Sequence, residues 1–327
     1  MEQEKKQMLR KLGNSGLMLS PVGLGCWQFS RGKGAIGKYW PVQEESLTRE
    51  IIQIHLEGGV NWFDTAEAYG WGASEQMTSR MLNQLGKTPE DISIATKWWP
   101  FPRTARSIIR TIDERLAALN GFPIDLYQVH QPYSFSSVEA EMHAMAALVR
   151  EQKIRYVGVS NFSASQMERA HKALEKEGLT LTANQVRYSL LDRRIESNGI
   201  LETARRLGVA IIAYSPLAQG LLSGKFHDKP ELVDREAGFR RYLPAFKKRG
   251  LQKSQPLINL LKKLAVKYDA VPAQIALNWL FSYHDGTVFV IPGATKTEQA
   301  RINVGAMKID LSADDMDDLD RASQDFK

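Results

Sequence analysis

Short runs of apolar and β-branched residues alternate along the chain with longer amphipathic segments. Two of the amphipathic segments, residues 104–120 and 138–149, repeat apolar residues every three or four positions and predict helices. Ser163 is expected to cap a further helix, and Pro272 stands where the first turn of a helix tolerates proline. The apolar runs predict eight strands, over residues 21–27, 60–65, 92–97, 125–130, 155–160, 182–186, 209–215 and 288–293.

This alternation predicts an α/β fold in which parallel strands are joined by helical crossovers. Eight such units in 327 residues favour a single (β/α)₈ TIM barrel domain over residues 1–327. A doubly wound open sheet is the alternative, but no G-x-G-x-x-G follows the first predicted strand. The turn residues Asn14-Ser15-Gly16 lie between two short apolar arms, which predicts an N-terminal β-hairpin that plugs the barrel floor.

Two predicted loops are longer than connections in compact domains usually are. They cover residues 32–46 and 217–254, and each follows the C-terminal end of a predicted strand. Because barrel enzymes place their catalytic groups at that face, both loops are expected to serve function.

Composition excludes several classes of protein. The chain is 43% hydrophobic and 24% charged, and no apolar run approaches the ~20 residues of a membrane helix. The charged N-terminus lacks an apolar signal core, so we expect a cytoplasmic protein. Cys26 is the only cysteine, and it is expected as a small core residue, with a pocket thiol as the alternative. The six histidines show no metal-ligand spacing. The net charge of +6 is not gathered in a tail, so neither nucleic acid nor membrane is expected as a partner.

Polar residues close three successive predicted strands. Asp64, Lys97 and His130 end these strands at equal intervals of 33 residues, about one βα unit. In a barrel this spacing places the three side chains next to one another on one rim. Tyr69 lies in the loop that follows the first of them. An acid, a lysine, a histidine and a phenol are therefore expected to converge.

The chemistry of this group follows from charge. A free tyrosine has a pKa near ~10, and a nearby ammonium lowers that value. Lys97, held by Asp64, is expected to supply the ammonium, and His130 to orient a carbonyl oxygen. Tyr69 then acts as general acid. Since no side chain delivers a hydride, a nicotinamide cofactor is implied.

Seven motifs are distributed in order along nearly the whole chain. They are FDTAEAYG (63–70), ATKWW (95–99), LYQVHQP (126–132), VGVSNF (157–162), NQVRYSLL (184–191), AYSPLAQGLLSGK (213–225) and IPGATKTEQARIN (291–303). With these motifs the sequence resembles the aldo-keto reductase superfamily, and the branch it resembles includes bacterial and plant aldo-keto reductases and potassium-channel β subunits. Each motif alone is moderately specific, and together they are highly specific.

The resemblance implies roles for individual residues. The catalytic tetrad of the family falls on Asp64, Tyr69, Lys97 and His130, all unaltered. The substrate pocket is expected between Trp27, Trp98, Tyr69 and His130, because aromatic faces suit an apolar substrate. The implied cofactor-binding residues are Gly25, Trp27, Asp64, Ser160, Asn161, Gln185, Tyr214, Ser215, Pro216, Leu217, Gln219, Gly220, Leu222, Ser223, Gly224, Lys225, Gly293, Thr295, Lys296, Gln299 and Asn303.

The resemblance also implies which cofactor binds. Lys296 stands at a helix start, where an ammonium and free backbone N–H groups favour the 2′-phosphate of NADPH (NADP⁺) over NADH. Gln299 departs from some relatives, which carry an arginine there. The predicted function is NADPH-dependent reduction of an aldehyde or ketone to an alcohol, as an alcohol:NADP⁺ oxidoreductase with a small-molecule carbonyl substrate.

A different class of function remains open at this point. The PLAQGLLSGK loop also occurs in the branch with channel β subunits, so a cofactor-binding regulatory or redox-sensor subunit with little turnover is the alternative. Reduction of a conjugated C=C bond would be suggested by a glutamate at position 130, where this chain has histidine. The sequence leaves both the physiological substrate and the choice between monomer and homo-oligomer undecided.

Overall fold

The N-terminal segment forms a β-hairpin that packs into the barrel. The structure is a computed structural model that describes residues 9–34, 39–236 and 238–327. Strands β1 (Arg10–Lys11) and β2 (Met18–Leu19) pair antiparallel. Leu12, Leu17 and Leu19 are buried against apolar residues of the barrel interior. The predicted hairpin and its place at the barrel floor are confirmed.

Eight strands form one parallel sheet. Their order in the sheet follows their order in the chain, and Val22 pairs with Val290 to join the first strand to the last. This closed, sequential order is that of a TIM barrel and excludes the doubly wound sheet, whose strand order reverses at a switch point. The strands are β3 (Leu24–Gly25), β4 (Trp62–Asp64), β5 (Ser93–Trp98), β6 (Ile124–Val129), β7 (Ile154–Ser160), β8 (Leu181–Arg187), β9 (Ala210–Tyr214) and β10 (Val288–Val290).

Amphipathic helices follow the strands, as the three- and four-residue spacing of apolar positions predicts. The two helices expected from periodicity are observed over Arg106–Ala118 and Val138–Arg150, and Pro272 begins the helix Pro272–Ser282. The helices are α1 (Glu45–Glu57), α2 (Ala73–Gln84), α3 (Arg106–Ala118), α4 (Val138–Arg150), α5 (Ala164–Glu175), α6 (Ile200–Leu207), α7 (Lys225–Asp228), α8 (Leu232–Glu236), α9 (Lys248–Lys267), α10 (Pro272–Ser282), α11 (Thr297–Gly305) and α12 (Ala313–Ala322).

The long loop after β9 contains short helical segments, including a 3₁₀ helix at Ala218–Ser223. Residues 35–38 of the long loop predicted over 32–46, and residue 237 of the one predicted over 217–254, lie outside the described residues. Cys26 is fully buried, and burial raises the pKa of its thiol to about 12, as suits a core residue. No helix in the described ranges is both long enough and apolar enough to cross a membrane.

The barrel interior changes from apolar to polar along the strands. Side chains alternate between the two faces of a strand, so residues two apart point the same way. Four strands carry an inward apolar residue and, two positions later, a polar one. These pairs are Trp62 and Asp64, Ala95 and Lys97, Leu126 and Gln128, and Ala183 and Gln185. A polar layer therefore lies directly above an apolar layer, at the C-terminal rim.

Gly158 leaves space for one member of that polar layer. It is paired with Gln128 in the sheet, and a Cβ on it would lie 3.0 Å from the Gln128 Cγ atom. A larger residue there would displace Gln128 and, through it, the groups it contacts.

The start of α5 fixes the segment that follows β7. Ser163 accepts a hydrogen bond from the Gln166 amide at 3.3 Å, while the Gln166 side chain accepts one from the Ser163 amide at 2.9 Å. This capping box satisfies backbone donors at the helix start, so the predicted cap is confirmed.

Replacing Ser163 by alanine is expected to lower the free energy of unfolding by ~1 kcal/mol, because the cap acceptor is lost. Chemical denaturation would measure the change. Ser165→Ala is the control, because it removes a neighbouring exposed hydroxyl that accepts no hydrogen bond from a backbone amide within the described part of the chain. Equal stabilities of the two variants would contradict the capping role.

Candidate active site

A buried ion pair lies at the centre of the polar layer. Lys97 Nζ lies 2.5 Å from Asp64 Oδ1, and their side chains are 0% and 1% exposed. The same ammonium donates to the Thr65 carbonyl at 2.7 Å. Burial lowers the pKa of Lys97, but the Asp64 carboxylate and the Tyr69 phenol outweigh burial and raise it above its ordinary value. The lysine therefore carries its charge in the barrel.

Two glutamines complete the environment of the carboxylate. Asp64 Oδ2 accepts from Gln185 Nε2 at 2.8 Å and from Gln128 Nε2 at 3.3 Å. Buried ion pairs are stable only when their remaining hydrogen-bonding capacity is satisfied. Gln128 was not among the predicted site residues. It lies two positions before His130, so the alternation of side chains along a strand could have placed it on the same face.

Tyr69 lies above this pair. Lys97 Nζ is 5.0 Å from the centroid of the Tyr69 ring. Burial raises the pKa of Tyr69, and the nearby ammonium only partly offsets this rise. The sequence predicted a lowered pKa for Tyr69. The net shift is upward, because the cost of removing a phenolate from water exceeds the stabilisation of that phenolate by Lys97. Tyr69 is thus a protonated O–H donor at neutral pH.

His130 faces Tyr69 edge-on. The two ring centroids are 5.7 Å apart with an interplanar angle of 83°. Burial, and then the charge of Lys97, hold the pKa of His130 well below its usual range. Its Nδ1 atom has no hydrogen-bond partner among the described residues. The imidazole is therefore neutral, and a neutral ring N–H can donate to a carbonyl oxygen.

Three further predicted residues contact one another at the ends of β7 and β9. Asn161 Nδ2 donates to Ser160 Oγ at 3.1 Å and to the His130 carbonyl at 3.3 Å. The Tyr214 hydroxyl donates to Asn161 Oδ1 at 3.0 Å. Asn161 has a φ of 63°, a left-handed conformation that costs energy for a residue other than glycine. The structure therefore brings these residues together beside His130.

The loop that follows Tyr214 has the same kind of strain. Ser215, Ala218 and Gln219 are not glycines, yet their φ values are 51°, 47° and 57°. Within the loop, Ser223 Oγ donates to the Gly220 carbonyl at 2.7 Å, and the Lys225 ammonium lies 4.7 Å from the Phe226 ring centroid. Leu222 is fully buried in the main core, so its side chain serves packing.

The far end of the predicted cofactor site lies at the start of α11. Lys296 precedes the helix and is exposed. The Thr295 amide donates to Gln299 Oε1 at 2.7 Å, and Asn303 Nδ2 donates to the Gly293 carbonyl at 3.5 Å. Arg301 instead lies 4.0 Å from Glu50, away from this group.

Two buried polar atoms without a hydrogen-bond partner show whether these residues suit a nicotinamide cofactor. Gln28 Oε1 and Gln43 Oε1 have no partner among the described residues. The Gln28 side chain lies where a Cβ on Gly293 would be, and Gln43 Nε2 donates to the Ala294 carbonyl at 3.4 Å. These unsatisfied groups border the predicted site, so the residues fit a polar ligand there. Neither glutamine was predicted, since both lie in or beside the irregular first loop.

Residues 21–324 match the Aldo/keto reductase family. The chain belongs to this family. It is therefore an oxidoreductase, in a family that reduces carbonyl compounds and uses nicotinamide cofactors generally.

Relatives agree with that membership. An uncharacterised oxidoreductase of Mycobacterium tuberculosis is 37% identical over 314 residues, which cover 94% of this chain and 91% of that protein. An aldo-keto reductase of Strobilurus tenacellus is 33% identical and covers 94% of this chain and 89% of its own length.

Solved structures agree as well. A thermostable aldo-keto reductase crystallised with the inhibitor epalrestat has a TM-score of 0.74 at 29% identity, covering 96% of this chain and 99% of its own. A glycerol dehydrogenase of Gluconobacter oxydans has a TM-score of 0.80 at 26% identity, covering 97% and 94%.

One predicted pocket residue of this aldo/keto reductase is misplaced. Trp98 is fully buried outside the barrel, where its indole N–H donates to Ser107 Oγ at 3.0 Å. Since Lys97 points inward, the next residue on the strand must point outward. Trp99 lies against His130 instead, with ring centroids 5.3 Å apart. The assignment of Trp98 to the pocket is therefore wrong, and the period of the strand could have shown it.

Trp27 lies beside Tyr69, and its place in a substrate pocket stays a prediction. Its ring stacks on Tyr69 at 6.1 Å between centroids and on Tyr39 at 4.8 Å. The Tyr39 hydroxyl donates to Gln219 Oε1 at 3.0 Å, so the two long loops meet beside the site. Tyr39 was not predicted, because contacts between distant loops leave no periodic pattern in the sequence.

Replacing Asp64 by asparagine is expected to lower the free energy of unfolding by ~3–5 kcal/mol, because Lys97 stays buried without a carboxylate. Chemical denaturation at neutral pH would measure this. Adding Lys97→Met should recover part of the loss, since the unpaired charge is then removed. Asp310→Asn, at an exposed position, is the control and should stay within ~0.5 kcal/mol of the unmodified protein. If Asp64→Asn lowers the free energy of unfolding no more than this control does, the ion pair does not stabilise the barrel.

Proposed function

We propose that this aldo/keto reductase reduces an aldehyde or ketone to an alcohol with NADPH, and that Tyr69 is the general acid. One observation carries the proposal. A protonated phenol lies between a buried ammonium, 5.0 Å from its ring centroid, and a neutral imidazole ring 5.7 Å away. This is an arrangement in which a carbonyl oxygen can be oriented and then protonated.

Each residue has a separate part in the reaction. When bound, the cofactor supplies the hydride that the carbonyl carbon takes up. His130 donates a hydrogen bond to the carbonyl oxygen and orients it. Tyr69 gives its proton to that oxygen as negative charge develops there. Lys97 then stabilises the phenolate, and Asp64 keeps the ammonium in place.

Most of the residues assigned to the cofactor fall into three groups. Ser160, Asn161 and Gln185 would hold the carboxamide, and the Tyr214 ring would stack on the nicotinamide. The strained loop over residues 215–225 would cover the pyrophosphate. The group at the start of α11 would hold the adenosine end, with Lys296 on the 2′-phosphate. The exposed ammonium at a helix start supports NADPH as the cofactor.

The substrate is a small carbonyl compound that meets aromatic walls. Trp27 and Trp99 both pack against the catalytic rings. The related glycerol dehydrogenase suggests polyol oxidation as the reverse direction. A regulatory subunit with little turnover remains the rival function. The neutral His130 beside Tyr69 supports turnover, because a subunit that only binds cofactor has no need to orient a carbonyl oxygen.

Tyr69→Phe is expected to lower kcat for aldehyde reduction by about 10²–10⁴-fold, because the proton donor is lost while the ring remains. NADPH consumption would measure kcat, and cofactor fluorescence would show that NADPH still binds. Tyr133→Phe, at an exposed tyrosine, is the control and should behave like the unmodified enzyme. Normal reduction by Tyr69→Phe would contradict the mechanism. Negligible turnover of the unmodified protein on aldehydes, ketones and sugars, with a stable tetramer, would favour the regulatory subunit.

Lys296→Gln is expected to weaken NADPH binding about tenfold and to leave NADH binding unchanged, since only NADPH carries the 2′-phosphate. Fluorescence titration with each cofactor would measure the two Kd values. Arg301→Gln removes a neighbouring charge that lies near Glu50 and serves as the matched control. Equal weakening of both cofactors in Lys296→Gln would show that the lysine does not select the phosphate.

A further inference from the structure

Two buried carboxylates lie on the segment that carries Tyr69. Glu67 is 2% exposed and Glu75 is 0% exposed. Glutamate is almost never fully buried unless it is paired, so each must have specific partners. Tyr69 lies between them in the chain, two residues after Glu67 and six before Glu75.

Glu67 attaches the Tyr69 loop to the end of β5. Its Oε2 atom accepts from the Trp99 amide at 3.0 Å, and its own amide donates to the Lys97 carbonyl at 3.1 Å. Its Oε1 atom lies 2.7 Å from Arg103 Nη1. Glu67 therefore hydrogen-bonds to the backbone on both sides of Trp98.

Glu75 holds the same strand from outside the barrel. Thr96 Oγ1 donates to Glu75 Oε1 at 2.6 Å. The other carboxylate oxygen lies 3.0 Å from Arg115 Nη1 on α3. Thr96 points outward and its neighbour Lys97 points inward, so Glu75 fixes the strand directly behind the lysine.

Glu67 and Glu75 thus connect one segment to three points around Lys97, two through their carboxylates and one through the Glu67 amide. The attachments are at the side chain of residue 96, the carbonyl of residue 97 and the amide of residue 99. We propose that Glu67 and Glu75 are positioning residues that fix the Tyr69 phenol relative to the Lys97 ammonium. The inference rests on the proposed roles of those two groups and extends them to residues that touch neither substrate nor cofactor.

The charges around Glu75 make this attachment sensitive to pH. Burial raises the pKa of Glu75 to about 7, and Arg115 and the Thr96 hydroxyl oppose that rise. The charge of Glu67 also raises the pKa of this carboxyl, and the charge of Lys97 lowers it. The pKa of the buried Tyr127 hydroxyl also responds to the charges of Glu67, Glu75, Arg115 and Arg103. Among the described residues, this hydroxyl has no hydrogen-bond partner.

The sign of the pH dependence follows from the raised pKa. Between the unfolded value of ~4.3 and about 7, the native state binds more protons than the unfolded state. The stability from the protonated carboxyl is therefore complete below the unfolded value and is lost as pH rises through about 7. Glutamine resembles the protonated form, so Glu75→Gln should flatten this part of the stability profile.

Alanine variants test the positioning role in the intact enzyme. Glu67→Ala and Glu75→Ala should each lower kcat about tenfold or more, because a small misplacement of reacting groups costs large factors in rate. KM and the Kd for NADPH should stay unchanged. The basic limb of the kcat profile should move to higher pH, because Lys97 no longer lowers the phenol pKa as strongly. A merely structural role would not move that limb.

Conservative variants and a matched control complete the experiment. Glu67→Gln and Glu75→Gln keep the acceptor oxygen and should restore most of kcat. Thr96→Val removes one attachment without removing an acid, and serves if an alanine variant does not fold. Glu141→Ala is the control, because Glu141 is 2% exposed and burial raises its pKa to about 7, but the hydrogen bond to its carboxyl comes from Ser134.

The outcomes distinguish the positioning role of Glu67 and Glu75 from the general-acid role of Tyr69. Unchanged kcat and unchanged pH limb in both alanine variants and in Thr96→Val, with Tyr69→Phe inactive, overturn the positioning role alone. The same kcat loss and limb shift in Glu141→Ala also overturn it, since any buried acid would then suffice. Normal reduction by Tyr69→Phe overturns the general-acid role and the positioning role together.

Discussion

The buried ion pair between Lys97 and Asp64 is the constraint on which the rest of the site depends. Two charges 2.5 Å apart with almost no exposure are stable only if the surrounding groups complete their hydrogen bonds. The Thr65 carbonyl does so for the ammonium, and Gln128 and Gln185 do so for the carboxylate. The polar layer of the barrel is the structural consequence of keeping one lysine charged in the interior.

That single charge determines the protonation of its neighbours. Burial alone favours the neutral forms of both Tyr69 and His130, and the ammonium adds to this effect at the histidine while opposing it at the tyrosine. The site therefore combines a protonated phenol, a neutral imidazole and a fixed positive charge. This combination suits the proposed transfer of a proton from Tyr69 to a carbonyl oxygen.

The site is supported from two directions. Inside the barrel, the apolar layer of Trp62, Ala95 and Leu126 lies beneath the polar layer and above the hairpin leucines. Outside it, Glu67 and Glu75 join the Tyr69 segment to the strand of Lys97. The proposed catalytic groups thus lie between a packed core and an outer set of hydrogen bonds from Glu67 and Glu75.

The sequence by itself determined the eight strands, the hairpin, the helix cap at Ser163 and the rim positions of Asp64, Lys97 and His130. These follow from local periodicity and from the length of one βα unit, which the chain carries in linear form. The tertiary structure decided what depends on direction and burial. It placed Trp99 rather than Trp98 at the site, added Gln128 to the carboxylate, and raised the pKa of Tyr69 instead of lowering it. Those outcomes depend on which groups share a desolvated space, and that is known only once the strands are in register.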